Sequence, residues 1–488
     1  MSNKSIGLVL GPALFLATLL FFRPEGLSEE GRAVLACTLW VAVWWILEVM
    51  PIAVTALLPI ILFPLTGALD LDTTTASFGH RYIFLYIGGF VLAIAIERWN
   101  LHRRIALNII HLIGTDVRFI ILGFMVATAF LSMWISNTAT SVMMLPIGMA
   151  IIRQLQDNPE TEENERRIFG KALMLAIAYS ASIGGIATLI GTPPNLVLAG
   201  IVQEIYGIEI TFSKWIVIGL PISAVLLVAC WIYLTRVAFT FQQESFPGGK
   251  AEIDRQLVAL GKISFEEKAV LLVFVATALA WISRSFLLNK WVPELDDTII
   301  AIIAGVLLFL LPAGRGQKRK LIKWKEAVEL PWGVLLLFGG GLALAEGFKT
   351  SGLAGWIGEQ LTLLEGVSIG LLLLILVAGV NFLTEITSNL ATTAMILPIL
   401  APLAAIIDVH PFVLMVGATL AASCAFMLPV ATPPNAVVFG SGYLKIPDMV
   451  RTGFWLNVIS IAVVSLVVYF LLPYLWTFDP NGYPANLK

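Results

Sequence analysis

The chain has 488 residues, of which 58% are hydrophobic and only 13% charged, about half the charged share of a typical soluble domain. A net charge of −2 gives no basic surface for nucleic acid. Cys37, Cys230 and Cys424 stand singly in apolar runs, which excludes a disulfide framework and metal-ligand spacing.

A bilayer core of roughly 30 Å takes about 20 apolar residues as a helix, and this sequence offers many such stretches. The run 6–22 reads as the first transmembrane helix, because Arg23-Pro24-Glu25 follows it instead of a small-residue cleavage site. Further apolar runs lie at 33–48, 52–68, 82–97, 119–135, 141–152, 172–200 and 213–235. The second half continues at 268–288, 298–312, 331–348, 367–386, 393–407, 411–440 and 453–475. The stretches 119–152 and 367–407 are each broken at the centre by a polar cluster. Irregular backbone at membrane depth is tolerated only where protein or water satisfies it, so each break predicts a re-entrant hairpin and a site. The expected organisation is an N-terminal helix and linker (1–32), a first repeat (33–240) with hairpin 117–155, and a cytoplasmic linker (241–267). A second repeat (268–476) with hairpin 367–407 and a C-terminal tail (477–488) complete it.

Basic residues set the expected orientation. With a cytoplasmic N-terminus and two re-entrant hairpins, Arg98, Arg103, Arg104, Arg118, Arg166, Arg167, Lys171 and the cluster from Arg315 to Lys325 all fall inside. Arg23, Arg32, Lys214, Lys290 and Lys349 fall outside with the C-terminus. The expected location is an inner or plasma membrane.

The chain carries two versions of one text. Residues 135–147 read ISNTATSVMMLPI and residues 387–399 read TSNLATTAMILPI, offset by 388 − 136 = 252. Gly191-Thr192-Pro193-Pro194-Asn195 recurs as Ala431-Thr432-Pro433-Pro434-Asn435, offset by 432 − 192 = 240. Gly88-Gly89 pairs with Gly339-Gly340, and close helix packing accounts for these glycines. A duplicated bundle with matching breaks is the sequence sign of a secondary transporter. An odd number of crossings between the copies makes the repeat inverted, so the fold class is an all-α polytopic membrane protein.

The paired Ser-Asn-Thr-like motifs, each followed by Thr-Pro-Pro-Asn, resemble the divalent anion/sodium symporter family, which includes sodium-coupled di- and tricarboxylate transporters. The resemblance spans about residues 30 to 475. It implies about eleven transmembrane helices, two re-entrant hairpins, a homodimer and an elevator-type movement, with sodium as coupling ion and no cofactor. It implies one sodium site at Ser132, Ser136, Asn137 and the Gly191 carbonyl, and a twin at Thr384, Ser388, Asn389 and the Ala431 carbonyl. Substrate carboxylates would meet Ser136, Asn137, Thr138, Thr192 and Pro193 from one half, and Ser388, Asn389, Leu390, Thr432 and Pro433 from the other. Leu390 departs from the family's doubled motif, because the first copy has Thr138 there.

The residues supply an independent electrostatic argument. Between 119 and 152 there is no charged side chain, and between 369 and 444 only Glu385, Asp408 and His410 occur. An anion cannot be buried there uncompensated. Helix N-termini and hard cations held by oxygen ligands remain as sources of positive charge. The favoured reading is sodium-driven symport of dicarboxylates of the succinate, malate or fumarate type. The alternatives are citrate or tricarboxylate symport and carboxylate exchange on the same fold, then sulfate transport. Proton coupling would need a titratable group in the path, and only Glu385 qualifies. An intramembrane enzyme would need a nucleophile with its base or a metal cluster, and no such motif occurs, so no catalytic residue is assigned. Glu48, Glu97 and Glu346 read as paired or snorkelling, and His410 as solvated in an outer loop.

Overall fold

A computed structural model describes residues 3–114, 116–156, 163–241, 249–314, 319–360 and 367–487. Linker residues 242–248 and the basic residues Arg315 and Lys318 lie outside the described residues. The described chain is helical, with no β-strand ladder beyond two isolated bridges. Seven described helices are long and apolar enough to cross a membrane. The other crossings are shorter because glycine, proline or a break interrupts them, as at Ile52–Thr66, Asp297–Leu310 and Pro411–Ala422.

Polar contacts sort into two faces and fix the threading. On one face Arg98 pairs with Glu326 at 2.9 Å, Arg104 with Glu267 at 2.7 Å, His111 with Asp254 at 2.9 Å and Lys171 with Asp448 at 2.7 Å. On the other, Arg284 pairs with Glu209 at 2.8 Å and with Asp297 at 3.2 Å. There Lys349 Nζ also donates to the Glu204 carbonyl and Ser28 Oγ to the Ser351 carbonyl. Each helix start carries a local reason. Ser264 and Glu267 form a reciprocal capping box, and Asp296, Thr211 and Ser368 accept from amides of the first turn.

The first hairpin consists of Val117–Ser132 and Asn137–Gln156. Its base lies on the Arg104 face, where Trp231 Nε1 donates to the Arg118 carbonyl. The second consists of Ile369–Leu383 and Asn389–Ile406. Its base lies on the Arg284 face, beside Leu353–Gln360, whose Trp356 donates to the Glu25 carbonyl. The hairpins therefore enter from opposite faces. Each packs against a helix broken at mid-length: Glu163–Ile186 with Pro193–Tyr206, and Pro411–Ala422 with Pro433–Phe439. The glycine pairs pack as expected, since a Cβ on Gly88 would lie 2.6 Å from the Ala301 backbone and one on Gly340 2.4 Å from the Ala56 carbonyl oxygen.

His410 differs from its expected solvated place. It is buried at the N-terminus of Pro411–Ala422, where its Nδ1 accepts from the Phe412 amide and its ring lies 4.1 Å from that of Phe478. The C-terminal tail covers it. Burial first, then the Lys214 charge, pushes its imidazole down to about 4, so it stays neutral at physiological pH.

Candidate functional site

The site forms where two hairpin tips meet two helix breaks. Ser132 ends the first arm of its hairpin and Asn137 opens the second, which brings both side chains to one point. Ser132 Oγ is 2.6 Å from the Asn137 amide oxygen and 2.7 Å from the Ala181 carbonyl oxygen. The same Asn137 atom lies 3.3 Å from the carbonyl oxygens of Gly191 and Ala181. One hydroxyl proton cannot satisfy this many acceptors. Two changes reconcile the cluster: the amide turns over and donates through Nδ2, or a cation takes its centre. Such a set of neutral oxygens suits a hard monovalent ion.

The second half repeats the arrangement. Thr384 Oγ1 donates to the Asn389 amide oxygen at 2.7 Å and to the Ala422 carbonyl at 3.0 Å. Ala431 and Thr432 lie buried beside the tip. Ser136 and Ser388 stand apart from these clusters. Ser136 Oγ accepts from the Ala139 amide as a helix cap, Ser388 makes no side-chain cap bond, and both border the cavity.

That cavity measures about 1510 Å³ and is bordered by both tips and both Thr-Pro-Pro breaks. It reaches the Arg104 face, where Lys4, Glu48, Glu97 and His102 line its mouth. Glu48 and Glu97 thus face the cavity, and neither has an ion-pair partner among the described residues. At its inner end, formed by residues 136–139, 190–194, 386–390 and 430–434, no lining side chain is charged.

Donors for an anion are unevenly distributed. Pro193, Pro194, Pro433 and Pro434 occupy the first turns of their helices, so the Thr-Pro-Pro segments carry no free amide at those positions. Hairpin tips are different. The amides of Asn137 and Thr138, and of Asn389 and Leu390, have no protein acceptor among the described residues and point along the positive ends of their helices. Thr138 is exposed into the cavity, whereas Leu390 is 6% exposed. Leu390 also borders the cavity, but little of it is exposed.

Three structural roles escaped the sequence reading. Asn195 Nδ2 donates to the carbonyls of Gly185, Ile186 and Thr188, the last at 2.8 Å. Asn435 Nδ2 donates to those of Ala425 and Leu428. Each asparagine of the Thr-Pro-Pro-Asn motif thus binds the end of its own broken helix, and 425 − 185 = 428 − 188 = 240 reproduces the motif offset. Gly185 leaves room for Asn137, since a Cβ there would lie 2.6 Å from its amide oxygen. Glu385 is 3% exposed, and its carboxylate accepts from the amides of Phe426, Met427 and Leu428 and from Asn457 Nδ2. These donors occupy both oxygens.

Paired hairpins and broken helices around a cavity open to one face define a helical secondary transporter. The whole-chain fold resembles two solved transporters, MtrF of Neisseria gonorrhoeae and YdaH of Alcanivorax borkumensis. The first has a TM-score of 0.61 at 13% identity, covering 99% of this chain and 97% of that one. The second has 0.58 at 13% identity, covering 84% and 89%.

Within that class, residues 2–476 match the family described as the sodium:sulfate symporter transmembrane region, and this chain belongs to that family. It is 53% identical over 476 residues to a sodium-dependent dicarboxylate transporter, SdcS, of Staphylococcus saprophyticus, covering 96% of this chain and 92% of the relative. SdcS of Staphylococcus aureus strain USA300 is 52% identical over 492 residues, covering 100% and 94%.

Proposed function

We propose that this chain carries small dicarboxylates of the succinate type across the membrane, driven by sodium. The observation that carries the reading is the cluster of the Ser132 hydroxyl, the Asn137 amide and the Ala181 and Gly191 carbonyls, repeated at Thr384, Asn389 and Ala422, beside a cavity end without a cationic side chain. Sodium at each cluster supplies the charge that an entering dianion needs, and the free tip amides orient its carboxylates. Relatives named as sodium-dependent dicarboxylate transporters, matched over nearly all of both chains, support this substrate and ion.

In this reading the N-terminus is cytoplasmic and the C-terminus outside, because the Arg104 face carries the denser basic residues. The cavity then faces the cytoplasm. Movement of hairpins and broken helices past the remaining helices exposes it to the outside, in a homodimer of elevator type. The outer ion pairs of Arg284 with Glu209 and Arg81 with Glu209 and Asp296 separate in that step. The test is uptake of labelled succinate by proteoliposomes with and without an inward sodium gradient. Gradient-dependent accumulation is expected. Uptake that ignores sodium but requires internal carboxylate would establish exchange instead.

A further inference from the structure

The two broken helices are unwound to different extents. The first is interrupted over 187–192 and the second over 423–432, so the second break is longer by (432 − 423) − (192 − 187) = 4 residues. Behind that longer break lies a polar cluster that no described group of the first half reproduces. Asn381, Asn457 and Ser460 are each 0% exposed and Glu385 is 3% exposed. Asn381 Nδ2 donates to the Cys424 carbonyl at 2.6 Å and to Ser460 Oγ at 3.3 Å. Ser460 Oγ donates to the Asn457 carbonyl at 2.8 Å, and Asn457 Nδ2 donates to Glu385 at 2.7 Å. Both amide nitrogens are thus committed, which fixes the amides' orientation. The amide oxygens of Asn381 and Asn457 are buried without a donor.

Charge sharpens the anomaly. Glu385 has no Lys, Arg or His partner among the described residues. Amides lessen the cost of a buried carboxylate but do not neutralise it. Orphaned acceptors beside an uncompensated negative charge form an environment for a cation. In the first half the corresponding space is closed: a Cβ on Gly184, which stands 240 residues before Cys424, would lie 2.3 Å from the Ala129 carbonyl oxygen, and Ala129 stands 252 before Asn381.

We propose that this cluster is an additional monovalent cation site, separate from the two hairpin-tip sites. The Asn381 and Asn457 amide oxygens and the Ser460 hydroxyl are its ligands, and Glu385 supplies the charge at one remove through Asn457. The identity of the ion as sodium rests on the proposed sodium coupling, while the site itself rests on the buried oxygens. Its consequence is that sodium binding and unwinding of the second broken helix are linked, because Asn381 and Glu385 both hold the unwound segment.

The test is equilibrium binding of radioactive sodium to the purified full-length protein, with folding followed by thermal melting. Asn457→Ala should bind one sodium fewer per chain than wild type, and Asn137→Ala, at a tip, should lose a different one, so that the double variant loses two. Ser460→Ala, a milder change, should keep the stoichiometry and raise the half-saturating sodium for one site by about tenfold, the loss of one ligand contact. Unchanged stoichiometry in a folded Asn457→Ala together with an unchanged curve in Ser460→Ala overturns the site and leaves the oxygens to water. Wild-type protein that binds no sodium overturns the proposed coupling as well. Binding that survives Asn457→Ala but vanishes in the tip variants overturns only the additional site.

Discussion

The two halves of the site solve one structural problem with opposite chemistry. Both must tie a hairpin tip to the unwound part of the neighbouring helix. In the first half the side chain lies on the helix: Thr188 Oγ1 donates to the backbone carbonyl of Met133. In the second the roles are exchanged at the corresponding positions, and the backbone amide of Leu428 donates to the side chain of Glu385. The longer second break explains the exchange. It frees the amides of Phe426, Met427 and Leu428, and a buried free amide is costly. One carboxylate on the hairpin satisfies all three. Glu385 therefore reads as a backbone fastener. The clasp itself, Ser132 or Thr384 with Asn137 or Asn389 and a helix carbonyl, is common to both halves. The tip clasps and the motif asparagines are thus shared, and the halves differ in what ties each tip to its unwound segment.

That contrast can be broken at the clasps first. Asn137→Ala and Asn389→Ala should each abolish sodium-driven uptake while the protein remains folded, because each removes an oxygen from its ion cluster and disturbs the tip amides beside it. Near-wild-type uptake in either variant removes that residue from the site. A sharper version uses Gly185 and Ala425, which occupy equivalent places. Gly185→Ala puts a methyl 2.6 Å from the Asn137 amide oxygen and should raise the half-saturating sodium by about tenfold or more, the equivalent of roughly 1.4 kcal/mol. Ala425→Gly should shift it by less than about threefold. Equal effects in sodium titrations of uptake would show that the halves do not differ there.

A smaller effect is expected at the tips. Thr138 presents its side chain to the cavity and Leu390 is buried. A hydroxyl bonded to a charged group contributes roughly 1.5–3 kcal/mol, so Thr138→Ala should weaken succinate binding by about tenfold or more. Leu390→Thr would add a hydroxyl at the equivalent place of the second tip. Its burial reduces the expected change in the succinate-to-citrate preference to less than about threefold, read by competition during uptake. A tenfold shift would place the Leu390 side chain against the substrate after all.

Much of this architecture was legible in the repeated text. The motif at 135–147 and its copy at 387–399 marked both tips, because polar residues inside an apolar run demand a partner. Thr-Pro-Pro-Asn marked both breaks, because proline cannot continue a helix from within. The carbonyls of Ala181 and Ala422 were not legible, since a backbone oxygen joins a tip cluster without leaving a trace in residue type. Gly185 was hidden for a similar reason, its role being space. His410 looked solvated because its cover, the tail near Phe478, is distant in sequence. Glu385 was visible as a charge, but its role depends on how far a neighbouring helix unwinds, which the repeat's symmetry concealed.

The central claim is that sodium supplies the positive charge which the inner end of the cavity lacks. Linkage then requires sodium to raise substrate affinity and substrate to raise sodium affinity by the same factor. Calorimetric titration of the purified protein with succinate, in sodium and in an equal concentration of choline, measures this most directly. The account predicts saturable binding in sodium and binding at least about a hundredfold weaker in choline, equivalent to roughly 2.8 kcal/mol of coupling. Equal succinate affinity in the two salts would contradict it.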